Sequence, residues 1–315
     1  MDIVTSPFVV NTFIIVNPTA GNGRGKRAFA GLLPLISRYT HGHHTIFESK
    51  CEKDCIQLSR EAVELGAQLI IAFGGDGTVH EVVNGMLVGE SARVHTCELG
   101  IISHGSGEDF IRNLDFPHDR RQQIGNIFNK PSRMVDAGWL KCTDSSDNTI
   151  KRYFVNECQL GISGAVISRM RDKSPQTRRS WSYTIEAIRQ LFKYRSSTFE
   201  TQIDGQVINA KKILGLAAGN GRYSGGGMKL TPRAEVNDGH LDVLFMEDMH
   251  LVDRLRIFSQ IFSGRHIHSK SATYQKGQEI HIISEPPVFI EADGELIGQT
   301  PCHIGIIPNA IKVRY

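Results

Sequence analysis

Short apolar runs bounded by turn-forming residues recur through the first hundred positions. Phe13-Ile14-Ile15-Val16 stops at Asn17-Pro18, and Leu69-Ile70-Ile71-Ala72-Phe73 runs straight into Gly74-Gly75-Asp76-Gly77-Thr78. Leu99-Gly100-Ile101-Ile102 leads into Ser103-His104-Gly105-Ser106-Gly107-Glu108-Asp109, and Thr45-Ile46-Phe47 is a shorter run of the same kind. Runs of this length between turn signals predict buried strands. Between them the period lengthens. Phe29, Leu32, Leu33 and Ile36 recur at helical spacing, and so do Cys55, Leu58, Ala62 and Leu65, with Asp54 placed as the cap. A third helical pattern covers residues 79–87. Strands alternating with helices over short links predict a parallel sheet with helices on both faces.

Beyond Asp136 the pattern changes again. Tyr153-Phe154-Val155, Lys212-Ile213-Leu214, Leu241-Asp242-Val243-Leu244-Phe245 and Glu279-Ile280-His281-Ile282-Ile283 read as strands, which places a boundary near residue 136 and a mostly β domain after it. A chain of 315 residues has room for two such domains.

Composition narrows the class. Hydrophobic residues at 40% and charged residues at 22% exclude disorder, and 31 Gly with 11 Pro exclude a fibre. A formal net charge of +3 gives no overall reason to expect nucleic acid as a partner. No apolar run reaches the roughly 18–20 residues of a membrane-spanning helix. Met1-Asp2-Ile3 opens with an acid where a secretory signal carries Lys or Arg, so a cytoplasmic location is expected. Six scattered cysteines without a CxxC pair are expected to be reduced, packed thiols.

In a parallel sheet the loops leaving the carboxyl ends of the strands gather along one edge, where ligands bind. Three glycine-rich loops hold that position here. Glycine lets backbone amides approach an anion closely, so three such loops point to a polyphosphate; tight turns alone are the other reading. Familiar templates fail. The P-loop pattern breaks because position 20 is Ala and Lys26 is followed by Arg27, and G-x-G-x-x-G breaks at Lys26 and at His80. His80-Glu81 lacks the second histidine of a zinc protease, and no G-x-S-x-G elbow occurs.

The loop Gly74-Gly75-Asp76-Gly77-Thr78, preceded by Asn17-Pro18-Thr19-Ala20-Gly21 and followed by Gly105-Ser106-Gly107-Glu108-Asp109, resembles the diacylglycerol kinase catalytic family, which includes sphingosine, ceramide and bacterial lipid kinases. GGDGT alone is shared with NAD kinases and phosphofructokinases. The second half breaks that tie: residues 219–232, then Asn237-Asp238-Gly239-His240-Leu241-Asp242, then Asp293-Gly294-Glu295 resemble the family's later motifs in the same order. The likeness runs from about residue 12 to the end and is greatest to the soluble bacterial members.

The resemblance implies a fold similar to NAD kinase. A nucleotide-binding α/β domain over residues 1–136, to which a final segment from about 303 to 315 returns, would be joined to a β-sandwich lipid-substrate domain over 137–302, with the active site in the cleft. It implies ATP- and magnesium-dependent transfer of the γ-phosphoryl to a lipid hydroxyl, most plausibly that of diacylglycerol, giving phosphatidic acid in phospholipid biosynthesis. Asn17, Pro18, Thr19, Ala20, Gly21, Ser49, Gly74, Gly75, Asp76, Gly77, Thr78, Gly105 and Ser106 would hold ATP, with Asp76 beside the phosphates and metal. Glu295 would be the general base, its pKa raised toward working pH by partial burial. Asp238, with the carbonyls of Glu235 and His240, would bind a structural magnesium ion between the domains. Each assignment has a plainer alternative: Asp76 as the acid of a tight turn, Asp293-Gly294 as a hairpin turn, and Asn237-Asp238-Gly239 as a turn.

Two departures from the family pattern bear on the nucleotide. Ser103 stands where the family has Pro, and Glu108 replaces a neutral amide with a charge that would repel a triphosphate. The segment 169–195 carries Arg169, Arg171, Lys173, Arg178, Arg179, Arg189, Lys193 and Arg195 against Asp172 and Glu186, interleaved with Trp181, Tyr183, Ile185, Ile188, Leu191 and Phe192. A basic amphipathic helix of this kind suits peripheral contact with the inner face of a membrane, or simply a solvated face over a packed one. Other acceptors (a sphingoid base, ceramide, phosphatidylglycerol or a soluble polyol), an inactive nucleotide or lipid sensor, and a homodimer all stay open.

Overall fold

A computed structural model describes residues 10–87, 96–144, 146–171 and 180–315. The chain divides into two units: one contains the residues up to Gly105, Phe116–Met134 and Ile311–Tyr315, and the other Ser106–Asp115 and Val135–Ala310. The chain therefore leaves the first unit before residue 136, at the third glycine loop, and returns to it twice.

The first unit is built on β1 (Thr12–Val16), β2 (His44–Glu48), β3 (Leu69–Gly74) and β4 (Glu98–Ser103). β1 pairs in parallel with β2 and β3, and β3 in parallel with β4, in the order β2-β1-β3-β4. Every residue of β1 and β3 is buried, which accounts for their unbroken apolar runs. Between the strands lie a single turn α1 (Ala20–Gly23), α2 (Gly25–Tyr39), α3 (Asp54–Glu64) and α4 (Asp76–Leu87). Phe29 and Ile36 of α2 pack with Phe73, Ile71 and Ile102 of the sheet, the rings of Phe29 and Phe73 meeting edge-on at 5.2 Å. Truncating one such core side chain to Ala costs about 2–5 kcal/mol.

Two details of α3 differ from the sequence pattern. Its cap is Lys53 in a left-handed conformation, and Asp54 is already helical, its carboxylate accepting from the Lys50 amide at 2.7 Å. Glu81 of α4 satisfies the helix start instead, accepting from the Lys53 and Cys55 amides at 2.9 and 3.1 Å. Leu65 lies just past the helix and is 58% exposed rather than part of the buried stripe.

α5 (Asp109–Asn113) belongs to the second unit and α6 (Arg120–Asn129) to the first. The second unit continues with β5 (Ser132–Thr143), whose first three residues belong to the first unit, then β6 (Thr149–Phe154), β7 (Glu157–Gly161), α7 (Ile162–Arg171), α8 (Ser180–Lys193), β8 (Ser197–Ile203) and β9 (Gln206–Gly219). It ends with β10 (Leu241–Glu247), α9 (Leu251–Ile261), β11 (Ala272–Gly277), β12 (Glu279–Glu285), β13 (Phe289–Ala292) and β14 (Glu295–Arg314). The antiparallel pairings β14-β12-β8-β9-β7-β13-β14 run in a closed circuit. Phe154, Phe199, Ile213, Ile280, Ile282, Ile290 and Ile304 share its core. The last residues of β14, Lys312–Arg314, run parallel to β4 in the first unit.

Among the described residues no helix is long and apolar enough to cross a membrane. All six cysteines are free, and burial pushes the Cys55 and Cys97 thiols up to about 12, which removes them as nucleophiles.

Candidate functional site

The registers of the parallel strands put the residues that follow them in one row. Val16 lies level with Glu48 and Phe73, and Gly74 with Ser103, so Asn17, Ser49, Gly75 and His104 leave the sheet side by side at its carboxyl edge. Backbone bonds tie the row together: Asn17 to Phe73 at 3.0 Å, Ser49 to Val16 at 2.9 Å and His104 to Gly74 at 2.7 Å. The Asn17 side chain then joins two loops. Its Nδ2 donates to Thr78 Oγ1 at 3.1 Å, while its Oδ1 accepts from the Thr19 amide at 3.0 Å and the Thr19 hydroxyl at 2.8 Å.

Glycine is required where these loops touch. A Cβ on Gly105 would lie 2.6 Å from Gly75 Cα, and one on Gly21 would lie 2.6 Å from Nε2 of His104. The second and third loops thus meet backbone against backbone, while the first lies against the His104 ring. Into the same place points the start of α4, a 12-residue helix whose first turn holds Asp76, Gly77 and Thr78. Helix dipole and close-packed amides make a cradle suited to phosphate oxygens. Pro18 contributes its carbonyl, which accepts from Lys26 at 3.0 Å and fixes the bend into α2. The first unit therefore brings together the sequence-selected residues 17–21, 49, 74–78 and 105. Ser106 is exposed and lies in the second unit. His104 of the third loop, to which the sequence assigns no role because nothing in its spacing marks one, is buried and stacked on Phe73 at 5.5 Å.

In the second unit the Asp-Gly-Glu motif is both hairpin and candidate chemistry. Asp293 (φ 48) and Gly294 (φ 83) form the two-residue turn between β13 and β14, with Ala292 paired to Glu295. The Asp293 carboxylate accepts three backbone amides: Val155 at 3.0 Å, Asn156 at 2.9 Å and Glu157 at 3.0 Å. Glu295 is thereby carried, half-buried, on a turn pinned to β7.

The same amide-bearing segment organises the glycine loop that precedes β10. The Asn156 carbonyl accepts from Asn220 and Gly221, its Oδ1 accepts from Asn113 at 2.8 Å, and its Nδ2 donates to the Tyr223 carbonyl. Asp109 accepts from the Gly226 amide at 2.7 Å and Asn113 from the Arg222 amide at 2.7 Å. The Asn220 side chain donates to the carbonyls of Asp136 and Val155, so the residues resembling family motifs here serve to fix the loop. Glu108, before α5, adopts a left-handed φ of 57 that a short Asn tolerates better than Glu.

A carboxyl group that the sequence reading passed over lies beneath this hairpin. Glu157 is buried, its Oε1 accepting from Ser224 at 2.7 Å. Burial first, then the charges of Glu291 and Asp293, push its pKa well above the carboxylate range. A charged residue inside the apolar stretch 153–160 was the available signal. Because the folded chain holds this proton when the unfolded chain has lost it, the group's contribution to stability is full below about pH 4.3 and falls as pH rises toward the folded value. Glu157→Gln has no such proton. In urea unfolding from pH 5 to 8, the variant is expected to gain on the wild type by up to about 1.4 kcal/mol per pH unit within that window.

The proposed structural magnesium residues have a different cation. The Asp238 carboxylate is ion-paired with the Lys276 ammonium and accepts from the His240 amide at 3.0 Å, while its carbonyl accepts from His240 Nδ1 at 2.8 Å. Lys276 also feels Asp242 and Glu235, and its pKa is raised, chiefly by the bond to Asp238. A divalent ion at Asp238 would have to displace this ammonium from the carboxylate. Chelation is therefore expected to leave the melting temperature unchanged. Lys276→Met is expected to cost about 1 kcal/mol and to become magnesium-stabilised, as thermal scans with and without millimolar magnesium would show.

A family model described as the diacylglycerol kinase catalytic domain matches residues 11–140, and one described as the YegS C-terminal NAD kinase beta sandwich-like domain matches residues 158–315. A diacylglycerol kinase of Staphylococcus haemolyticus is 28% identical over 305 residues, 95% of this chain and 86% of that one. One from Bacillus subtilis is 26% identical over 289 residues, 91% and 90% of the two chains. A crystal structure described as a diacylglycerol kinase from Bacillus anthracis superposes with a TM-score of 0.72 at 22% identity, covering 98% of each chain, which shows a shared fold. With both halves matched and the phosphate-type loops in register, the chain belongs to the diacylglycerol kinase catalytic-domain family of lipid kinases, enzymes that transfer a phosphoryl group to a hydroxyl acceptor.

Proposed function

We propose that this kinase uses ATP and magnesium to phosphorylate the hydroxyl of diacylglycerol, forming phosphatidic acid. The observation that carries the reading is the row of loops at the carboxyl edge of β1, β3 and β4, closed by Asn17–Thr78 and by the Gly75–Gly105 contact. The triphosphate would lie on these amides and on the start of α4, with Ser49 and residues 17–21 around the nucleotide. Asp76, an oxygen donor in that first turn, would hold magnesium, which neutralises charge on the phosphates.

Glu295 would take the acceptor's proton as its oxygen bonds to the γ-phosphorus and the bond to the β-phosphate oxygen breaks, releasing ADP. The hairpin pinned by Asp293 supports this role, since a base must be held within hydrogen-bond reach of its proton. The name shared by the curated relatives supports diacylglycerol as acceptor. With γ-labelled ATP, magnesium and mixed micelles carrying diacylglycerol, sphingosine, ceramide, phosphatidylglycerol or glycerol, diacylglycerol is expected to take the label. Label on another acceptor would replace the substrate, and label on none would remove the activity.

The substrate requires the enzyme to meet a bilayer from the cytoplasmic side, and α8 supports such contact. Ile185, Ile188 and Phe192 are exposed at 42%, 39% and 57%, flanked by exposed Arg189 and Lys193. Lys173, Arg178 and Arg179 of the same basic stretch lie outside the described residues. At about 1 kcal/mol per basic residue near an anionic surface, Arg189→Glu with Lys193→Glu is expected to weaken sedimentation with phosphatidylglycerol vesicles at least tenfold while ATP binding is retained. Unchanged vesicle binding would remove α8 from the contact.

A further inference from the structure

We propose that Glu279, His281 and His303 form a binding site for a zinc-type transition-metal ion that clamps β12 to β14 on the solvent-facing side of the second unit. Among the described residues this is the grouping of three metal-ligating side chains whose donor atoms all lie within 4.8 Å of one another.

Strand geometry places the three together. β12 alternates exposed and buried residues, so Glu279 and His281 share its outward face while Ile280 and Ile282 enter the core. His281 lies directly opposite His303 in the antiparallel register, and Cys302 and Ile304 on either side of His303 point inward. The imidazoles are 3.7 Å apart at a 23° interplanar angle, and His303 Nε2 lies 3.9 Å from Glu279 Oε2. That Nε2 is shielded from solvent yet has no hydrogen-bond partner. Trp139 walls the far side of His303, edge-on at 4.6 Å. A buried lone ring nitrogen beside a second imidazole and a carboxylate is an incomplete polar site, and a metal ion would complete it.

The donor set selects the ion. Two imidazole nitrogens and one carboxylate oxygen suit zinc, cobalt, nickel or copper, whereas magnesium and calcium take oxygen ligands. Bonds of about 2.0–2.1 Å in tetrahedral geometry hold ligand atoms about 3.3 Å apart, so donor atoms up to 4.8 Å from one another close by as much as about 1.5 Å, and the stacked imidazoles turn toward a common point as they do so. Glu279, with a side chain 62% exposed, and His281, also exposed, are the side chains that can make that movement. Water would take the fourth position. His303 follows Glu295 by eight positions along β14 and pairs with β12, whereas Glu295 pairs with β13, so the ion would act on the cohesion of β12 and β14.

The test is titration of the full-length, chelator-stripped protein with zinc chloride by calorimetry, in millimolar magnesium, repeated with cobalt chloride for its visible absorption. Wild type is expected to bind one equivalent of zinc and to melt at a higher temperature when loaded. His281→Ala and Glu279→Gln, both at exposed positions, are expected to keep the metal-free melting temperature and the basal kinase activity. They are expected to weaken zinc binding by at least the roughly 10- to 100-fold that loss of an outer-shell partner costs. Absence of a binding isotherm in the wild type would overturn the site. So would equal zinc affinity in His281→Ala, which would place the metal elsewhere.

Discussion

Glu295→Gln is expected to lower the turnover of lipid phosphorylation about 100- to 10,000-fold, the range that general-base catalysis supplies. The exchange keeps the size of the side chain and leaves the Asp293-Gly294 turn and its three amide bonds intact. ATP affinity should stay within about twofold of wild type, because the loops proposed to hold the triphosphate belong to the first unit. Single-turnover transfer measured beside an ATP titration separates the two effects. A variant that turns over at the wild-type rate would remove Glu295 from the chemistry and leave the hairpin as its whole role.

Asp293→Ala is expected to have the largest effect on stability. Its carboxylate is the acceptor for three successive backbone amides, and hydrogen bonds to a charged group contribute about 1.5–3 kcal/mol each. Removing it orphans the amides of Val155, Asn156 and Glu157, and Ala at φ 48 adds about 1 kcal/mol of left-handed strain. Because the three bonds share two oxygens and the segment can relax, the net loss is expected at about 3–5 kcal/mol in urea unfolding. Asp293→Asn tolerates the left-handed backbone and keeps one acceptor oxygen, so roughly half that loss is expected. Equal stability of the wild type and the Ala variant would mean that the turn holds itself without these bonds.

The parts of the molecule set by local chain chemistry could be read from the residues. Isoleucine-containing apolar runs ending in turn-forming residues marked β1, β3 and β4, and Asp-Gly between apolar runs marked the β13–β14 turn. The glycine loops were legible because the close approach of Gly75 to Gly105 admits no side chain.

What could not be read depends on partners far away along the chain. Asp54 looked like a cap, but Glu81 occupies that role from the neighbouring helix, 28 residues beyond the Lys53 amide it accepts from. The motif around Asp238 does not show that Lys276 reaches it from β11, 38 residues on. Asp293 meets amides 136–138 positions earlier, and no local pattern announces such a bond. The closed circuit of strands in the second unit likewise rests on antiparallel registers that short apolar runs do not encode. The departure of Ser106–Asp115 from the first unit was hidden for the same reason: its partners, Gly226 and Arg222, lie more than a hundred residues away.

The most direct measurement is a phosphorus NMR time course of the purified full-length protein with ATP, magnesium and dioleoylglycerol in mixed micelles. The expected result is a phosphatidic acid resonance that grows in step with ADP and is absent with Glu295→Gln. ATP turned over to inorganic phosphate alone, or left intact while the protein binds it, would contradict the proposal that this chain phosphorylates diacylglycerol.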